Sequence, residues 1–493
     1  MSKKVLIIGT GLGALATALR LSSRGYEVEM LEKYHRAGGR LNQLEKEGFT
    51  FDMGPSFFSM SYEFEELFRS CGIPNPLLLE ALDPVYSVRF ANREKPFYIH
   101  KDLKKLAAEF NGLEIDFEQK MRSYLDSAKR IFHDTEDIVI RNNFNSRLDY
   151  LLQLTRVPLR HSPKMFRSMW TELSNTFQSE EARVIFSLVA FFLGSTPFQT
   201  PAVYSLLSYT ELEHDGYWNV KGGMYRIVTE MLRLLGERRV KIHYNTEIIG
   251  IKTSNGEISG FTDVSGKEWK ADIYISNSDA ASFRGKILNR EKFSDKKLDA
   301  MEWTLAPFTI YLGVKGEINN LIHHNYFLGS NFKAYADTIF KTSVTPEKPY
   351  YYVNVSSKSN PESAPPGCEN IFILCPVPDL RHKKDWSDAD QFASTILQDL
   401  SSRIGTDLEA RTVTKTILSP VEWRDQFNLY QGSGLGLAHG LNQVGGWRPS
   451  NKDEKFSNLY YVGASTTPGT GLPMVIIGSK LVMERIEKEH GNL

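Results

Sequence analysis

The segment Gly9–Ala14 carries small residues at a spacing that suits the binding of a dinucleotide. In such a turn the first glycine permits a tight bend, the second lets the backbone approach a pyrophosphate, and a small third residue allows a helix to pack closely on a strand. The unpaired N–H groups and the positive dipole at the start of that helix attract phosphate. We interpret this segment as a phosphate-binding turn, whose predicted binding residues are Gly9, Gly11, Leu12, Gly13 and Ala14.

An acidic residue follows this turn at the distance that nucleotide binding requires. Glu32 comes about twenty residues after the glycines, at the end of the strand-like run 27–31. Its carboxylate can accept hydrogen bonds from the two hydroxyl groups of a ribose, and it disfavours a 2′-phosphate. Glu32 and the adjacent Lys33 are therefore assigned to the nucleotide site, although this pattern alone does not separate FAD from NAD.

Two further glycine-containing segments could reach the same nucleotide. Gly39 and Arg40 follow Gly38 soon after the second strand, where a flexible glycine pair can turn the guanidinium group toward the pyrophosphate. A surface turn is the alternative interpretation of this segment. The sequence Phe-Asp-Met-Gly-Pro-Ser over 51–56 predicts a turn at Gly54 that brings backbone close to a flat ring, although any β-turn has similar residues.

A second strand-to-helix junction lies near the carboxyl terminus. The strand-like run 459–462 ends at a glycine, and the glycine- and proline-rich segment 468–473 precedes a predicted helix, Met474–Arg485. The residues assigned to the cofactor from this junction are Gly463, Pro473 and Met474. Together the two junctions predict a bipartite cofactor site.

These residues must be positioned by a strand–helix–strand unit. The runs 5–8 and 27–31 are strand-like, and the residues between them have helical spacing. A Rossmann-type α/β domain is therefore predicted. Elsewhere, 85–100 and 303–355 contain short aromatic and β-branched runs that are typical of an antiparallel sheet, whereas 103–214 is predicted to be mainly helical.

Composition and charge exclude several classes of protein. The 493 residues contain 59 basic and 59 acidic side chains, so no sequence-wide attraction to nucleic acid is inferred. With 41% hydrophobic and 24% charged residues, the chain is neither disordered nor collagen-like. Its 3 widely spaced cysteines argue against a disulfide framework or a thiolate metal site and fit a reducing compartment. We expect no nucleic-acid partner and no metal.

Several blocks of the sequence, in order, resemble the bacterial carotenoid desaturase family, the phytoene-desaturase-like flavoproteins that are related to amine oxidases. The segments 9–14 and 38–55 are similar to the family's opening block, and 459–480 is similar to its closing flavin block. The segment 244–248 resembles a strand whose backbone contacts adenine, through Ile248. The other matching segments are 216–224 with its glycine pair, 271–279, and 432–436 with Arg448 and Pro449.

The resemblance implies a mixed β-sheet plus helical substrate domain beside the Rossmann-type domain, where length alone suggests about three domains. The cofactor it implies is FAD, bound non-covalently, since no cysteine lies in the closing block. The implied FAD-binding domain is noncontiguous and comprises 1–80, 215–295 and 425–493, and the implied substrate-binding domain comprises 81–214 and 296–424.

The same resemblance implies an oxidoreductase that removes two hydrogens from adjacent carbons of a long, lipid-soluble carotenoid, with oxygen or a quinone as electron acceptor. Phytoene desaturases typically carry smaller residues after Gly54-Pro55-Ser56, so the bulky segment 57–60 favours a late-pathway 1-hydroxycarotenoid 3,4-desaturase. A phytoene desaturase, a carotenoid isomerase or saturase, a flavin amine oxidase and a flavin-free prenyl-binding escort protein remain alternatives.

No catalytic side chain is assigned. Glu211, Glu213 and His214 lie just before the central glycine pair, but an isolated acid or histidine in a helix is more often structural. Conjugation beside the reacting carbons would delocalise a developing positive charge. The protein would then need mainly to hold the chain rigidly and to exclude water.

The stretch 141–170 is basic and amphipathic. Six arginine or lysine side chains and one acid, Asp149, are interleaved with aliphatic and aromatic residues, a composition that can lie in a lipid interface. A helical face over the core is the alternative interpretation. The longest apolar run, 184–194, is too short to span a bilayer. We expect a cytoplasmic protein that associates peripherally with the inner face of the membrane.

Overall fold

The computed structural model describes residues 3–491. Its strands, in chain order, are β1 (Lys4–Ile8), β2 (Glu27–Leu31), β3 (Asn42–Lys46), β4 (Phe49–Met53), β5 (Leu79–Ala81), β6 (Tyr86–Phe90), β7 (Phe97–Ile99), β8 (Trp218–Val220), β9 (Lys241–His243), β10 (Ile248–Ser254), β11 (Glu257–Asp263), β12 (Glu268–Trp269), β13 (Ile273–Ser276), β14 (Ala306–Lys315), β15 (His324–Leu328), β16 (Tyr351–Asn354), β17 (Cys368–Val377), β18 (Thr412–Leu418) and β19 (Leu459–Tyr461).

The α-helices of the same residues are α1 (Leu12–Ser23), α2 (Ser61–Ser70), α3 (Leu103–Glu109), α4 (Phe117–Thr135), α5 (Arg147–Leu154), α6 (Ser162–Phe166), α7 (Met169–Thr176), α8 (Glu180–Ser187), α9 (Val189–Phe192), α10 (Leu206–Tyr209), α11 (Arg226–Glu237), α12 (Asp295–Asp299), α13 (Phe332–Ile339), α14 (Ala389–Ile404), α15 (Leu408–Arg411), α16 (Pro420–Phe427) and α17 (Leu472–His490). Short π-helical turns cover Glu136–Ile140, Thr210–His214 and Ala281–Ile287.

A five-stranded parallel sheet in the order β19-β13-β1-β2-β9 forms the first layer of the fold. Its central strand is buried on both faces, as parallel sheets generally are. Val5 and Ile7 share a core with α1, α11 and α17, whereas Leu6 and Ile8 pack toward the antiparallel sheet β10-β11-β12. The predicted Rossmann-type α/β fold is thus confirmed, with strands drawn from three separate stretches of the chain.

The helix predicted after the second glycine-rich junction is longer than its apolar pattern indicated. It begins at Leu472, with Pro473 in its first turn, and continues to His490. Proline is tolerated there because the first N–H groups of a helix have no partner within it. The carboxyl ends of β1 and β19, each followed by a glycine turn and a helix, therefore meet at one edge of the sheet.

A seven-stranded sheet in the order β18-β14-β17-β16-β15-β6-β7 forms the second layer. The prediction that 85–100 and 303–355 form an antiparallel sheet is wrong at one pair, because β6 and β15 run parallel. The chain between these two strands includes the helical region and β7 to β14. Such a long connection leaves the direction of return free, whereas a tight hairpin imposes antiparallel pairing. The stretch 303–355 also contains the helix α13, so it is not strand and turn alone.

The stretch 103–214, predicted to be mainly helical, contains α3 to α10 and packs on the β6-β15 side of the seven-stranded sheet. Among residues 3–491, no helix is both long enough and apolar enough to cross a bilayer. The segment 244–248 is not a strand as the resemblance implied. Only Ile248 belongs to one, because the chain turns between β9 and β10 with Asn245 at φ 53°.

Candidate active site

One cavity of about 1210 Å³ extends from the carboxyl edge of the parallel sheet to the seven-stranded sheet and the helical region. It is larger than the roughly 300–1,000 Å³ of pockets that hold one small ligand. Among the predicted cofactor residues, Ala14 does not line it but lies fully buried behind the turn in α1. Those that line it are Gly9, Gly11, Leu12, Gly13, Glu32, Lys33, Gly39, Arg40, Gly54, Ile248, Gly463, Pro473 and Met474.

The turn before α1 is tightly enclosed. Gly9 has a φ of 84° and its N–H donates to the carbonyl of Leu31 at 2.8 Å, which ties the turn to the end of β2. A Cβ atom at Gly11 would lie 2.4 Å from Oδ1 of Asn277, and one at Gly39 would lie 3.3 Å from Cα of Gly11. Absence of side chains at these two positions therefore lets two turns meet beside the start of a helix whose first N–H groups have no helical partner.

Glu32 is held in place at the end of β2. Its carboxylate accepts hydrogen bonds from the N–H of Thr10 at 2.9 Å, from the Thr10 hydroxyl group, and from the N–H of Tyr34 at 3.0 Å. A carboxylate has about four acceptor positions, so the capacity to accept a bond from a ribose remains. The neighbouring Lys33 forms a 3.1 Å ion pair with Glu247.

Arg40 supplies a positive charge to the same cavity. Its Nη1 donates to the carbonyl of Gly434 at 2.9 Å, and no acidic side chain in the described part of the chain forms an ion pair with it. Burial lowers the pKa of Arg40, and the more distant Asp279 opposes that effect. An enclosed cation without an anionic partner is costly, so the site fits a group that brings its own negative charge, such as a pyrophosphate.

Two residues that were not among the predicted cofactor residues organise the site. The side-chain amide of Asn277, after β13, donates to the carbonyl of Val462 at 2.9 Å and fills the space beside Gly11. Asp52 accepts the N–H groups of Met224 at 2.9 Å and Tyr225 at 3.1 Å. Burial raises the pKa of Asp52 to about 6, although those two bonds lower it. The only signal that could have found Asn277 is that the carboxyl ends of parallel strands share one edge of a sheet.

Aromatic side chains form the wall beyond the Gly54 turn. The Phe57 ring lies 4.8 Å from the ring of Tyr217, 4.2 Å from His324 and 5.0 Å from Tyr352, measured between centroids. Nδ1 of His324 and the Tyr352 hydroxyl group are 2.5 Å apart. The bulky residue that the sequence singled out at 57 therefore belongs to an aromatic group of side chains beside the cofactor turns.

The comparisons with known proteins agree with this geometry. Residues 15–483 match the family described as flavin containing amine oxidoreductase. A zeta-carotene-forming phytoene desaturase of Myxococcus xanthus is 33% identical over 493 residues, which cover 98% of this chain and 94% of that protein. A phytoene desaturase of Fusarium fujikuroi is 31% identical over 525 residues, with 100% of this chain and 90% of that protein covered.

Solved structures share the fold. An oxidoreductase from Methanosarcina mazei superposes with a TM-score of 0.63 at 19% identity, covering 98% of this chain and 100% of that one. Cyclohexylamine oxidase from Brevibacterium oxydans superposes with a TM-score of 0.60 at 14% identity, covering 99% and 100%. The family match over residues 15–483, together with relatives that are 31% and 33% identical over nearly the whole chain, shows that this protein belongs to the flavin-containing amine oxidoreductase family and, within it, to the carotenoid desaturases, so that it is an FAD-dependent oxidoreductase.

Proposed function

We propose that this enzyme desaturates a carotenoid, and that its substrate is a late-pathway 1-hydroxycarotenoid that gains a double bond at the 3,4 position. The observation that carries the proposal is the continuity of the cavity, which joins the cofactor turns to a wall of aliphatic and aromatic side chains. Relatives named as phytoene, diapophytoene and zeta-carotene-forming desaturases support the reaction class. The large ring of Phe57 beside the Gly54 turn supports a flat, already conjugated chain as substrate.

Desaturation takes a hydride and a proton from adjacent carbons, and FAD, when bound, supplies the two-electron acceptor. The residues of this chain have three tasks. The glycine turns and Arg40 hold the cofactor, the aromatic wall holds the polyene rigidly against it, and the apolar lining excludes water from the reacting carbons. Oxygen or a quinone is the proposed terminal electron acceptor.

Product analysis tests this proposal. The purified flavoprotein is incubated with liposomes that contain either phytoene or an acyclic 1-hydroxycarotenoid, and the products are separated by chromatography. We expect the hydroxylated chain to lose two hydrogens and to absorb at longer wavelength. Conversion of phytoene to lycopene with the hydroxylated chain untouched would overturn the 3,4-desaturase assignment. Oxidation of amines alone, or failure to bind FAD, would point instead to an amine oxidase or to an escort protein.

We further propose that the substrate enters from a membrane surface, at the cytoplasmic, inner face of the membrane. The segment that comprises α5 and α6 contributes Leu154, Val157 and Met165 to the cavity wall, and it also exposes apolar side chains to solvent. Such an exposed apolar group with basic neighbours suits a lipid interface. The exposed side chains, with their exposed fractions, are Leu148 (67%), Leu151 (47%), Leu152 (60%), Leu159 (86%) and Phe166 (91%).

The basic side chains of this surface contribute less to lipid binding than the composition of 141–170 indicated, because several are paired with acids. Arg160 pairs with Asp134, and both Lys164 and Arg167 pair with Glu172. Arg141, at the start of the segment, pairs with acids as well. Apolar insertion is therefore the main source of the proposed affinity, and anionic lipid is expected to increase it only modestly.

Replacing Leu159 and Phe166 together by aspartate should lower the affinity for vesicles by at least about tenfold. Each lost apolar side chain removes about 1.5–3 kcal/mol of favourable free energy of burial in the lipid. Leu78→Asp is the matched control, since Leu78 is 72% exposed but lies outside this segment. Flotation through a density gradient, with and without vesicles, measures the bound fraction. A double variant that floats like the unaltered protein, or an unaltered protein that stays soluble, would contradict the proposed surface.

A further inference from the structure

Glu211 is the one acidic residue that 81–214 and 296–424 contribute to the described wall of the cavity. Its side chain is buried, with 6% of the residue exposed, and the Tyr86 hydroxyl group donates a hydrogen bond to it. Burial raises the pKa of Glu211 to about 7, although that bond lowers it. A substantial fraction of these carboxyl groups therefore keeps its proton at neutral pH.

Two tyrosine side chains complete a polar group of residues around Glu211. Tyr217 and Tyr326 both line the cavity, and both interact electrostatically with the Glu211 carboxylate. Within the described chain, no hydrogen bond forms at either hydroxyl group. The Phe57 ring, which directly follows the Gly54 turn and Ser56, packs on Tyr217 at 4.8 Å and on Tyr326 at 6.1 Å. These polar groups therefore lie next to the cofactor side of the cavity.

The local backbone explains why one acid points inward and its neighbour outward. Glu211 and Glu213 share the π-helical turn Thr210–His214, a geometry that is often found at functional sites. The side chain of Glu213 is 39% exposed and forms a 3.1 Å ion pair with Lys129. Glu211 has no basic partner among the ion pairs of residues 3–491 and faces the cavity instead.

Hydrogen-bonding groups that face a cavity need a polar partner, and a ligand that displaces water from them must supply it. A protonated carboxyl group both donates and accepts, so it suits a neutral alcohol better than an ammonium group. We propose that Glu211, with the hydroxyl groups of Tyr217 and Tyr326, binds a hydroxyl group of the polyene substrate and sets the preference for hydroxylated chains. This inference rests on the proposed 1-hydroxycarotenoid function. A hydroxyl group on carbon 1 lies two carbons from the bond at carbons 3 and 4, so its binding group must lie near the cofactor, and Phe57 links Tyr217 and Tyr326 to the Gly54 turn.

The test measures the ratio of kcat/KM for an acyclic 1-hydroxycarotenoid to kcat/KM for the same chain without the hydroxyl group. Glu211→Leu should lower this ratio by roughly 10- to 100-fold, since the alcohol loses its buried partner. Glu211→Gln should keep most of the ratio, because the amide still donates and accepts. Glu213→Gln is the matched control in the same turn and should leave the ratio unchanged.

Equal losses of kcat on both substrates in Glu211→Leu and Glu211→Gln, with the ratio unchanged, would overturn the assignment and indicate a proton acceptor. A preference for the hydroxylated chain that survives Glu211→Leu would overturn this inference alone, whereas no such preference in the unaltered enzyme would overturn the proposed function as well. Should Glu211→Leu fail to take up FAD, the double variant Tyr217→Phe and Tyr326→Phe decides. Its ratio should fall, and an unchanged ratio would contradict the inference.

Discussion

Gly11→Val is expected to yield a protein that is purified without flavin. The new Cβ atom would lie 2.4 Å from Oδ1 of Asn277, whose amide is fixed by its bond to the Val462 carbonyl. Retreat in the other direction is blocked by the turn at Gly38 and Gly39, which pairs with Gly11. The φ of −65° at Gly11 is open to any residue, so the effect arises from crowding and not from backbone strain.

Crowding of this kind costs about 1–3 kcal/mol, which lowers FAD affinity by up to about a hundredfold if the whole cost falls on binding. The ratio of flavin to protein absorbance and the titration of the apoprotein with FAD measure the effect. Gly236→Ala is the matched control, because no atom lies within 4 Å of its added Cβ and alanine favours the helix α11. Normal flavin content in Gly11→Val would show that this turn does not hold the cofactor.

The sequence predicted the part of the site that one local unit builds. The turn Gly9–Ala14 and Glu32 belong to adjacent elements, β1, α1 and β2, so their relative positions follow from spacing alone. Asn277 reaches Gly11 only because β13 is the neighbour of β1, and strand order in a sheet is not encoded in local periodicity. The same reason underlies the parallel pairing of β6 with β15.

Glu211 shows a second limit of pattern reasoning. Glu211, Glu213 and His214 are polar residues close together near the end of a helix. The spacing of an α-helix does not show which of them faces the cavity. The π-helical turn and the packing of Tyr86 and Tyr326 decide that direction, and both depend on contacts with the seven-stranded sheet. For the substrate side of the cavity, the sequence therefore predicted which kinds of residue are present but not which side chains face the cavity.

Arg448 connects two loops that border the cofactor end of the cavity. It is 3% exposed and has no acidic partner among the ion pairs of the described chain. Its guanidinium group donates instead to five carbonyl groups at 2.7–3.3 Å, those of Leu437, Ala438, Gln443, Ala464 and Thr466. The burial that this requires lowers the pKa of Arg448 to about 10, which still leaves it charged at neutral pH.

These bonds hold the segment after Gly463 against the segment before Gln443. A second connection joins the same loops, since the N–H of Thr470 donates to Nε2 of His439 at 3.2 Å and the Thr470 hydroxyl group donates to the carbonyl of Leu435 at 2.6 Å. Five carbonyl groups exceed what one ammonium group with three N–H bonds can satisfy. A planar guanidinium group is therefore required at this position.

Arg448→Met should destabilise the folded protein by about 3 kcal/mol or more, because several buried carbonyl groups lose their donor while the side-chain volume is largely kept. The stability of Arg448→Lys should lie between that of Arg448→Met and that of the unaltered protein. Arg122→Met is the exposed control, and its stability should change little because it loses only an i,i+4 pair with Glu118. Thermal unfolding with and without added FAD measures the effect.

Since the two loops line the cavity, we expect weaker FAD retention in Arg448→Met even below its unfolding midpoint. Unchanged stability together with full flavin content would show that water replaces the guanidinium group, and that the closing loop is held by its own turns.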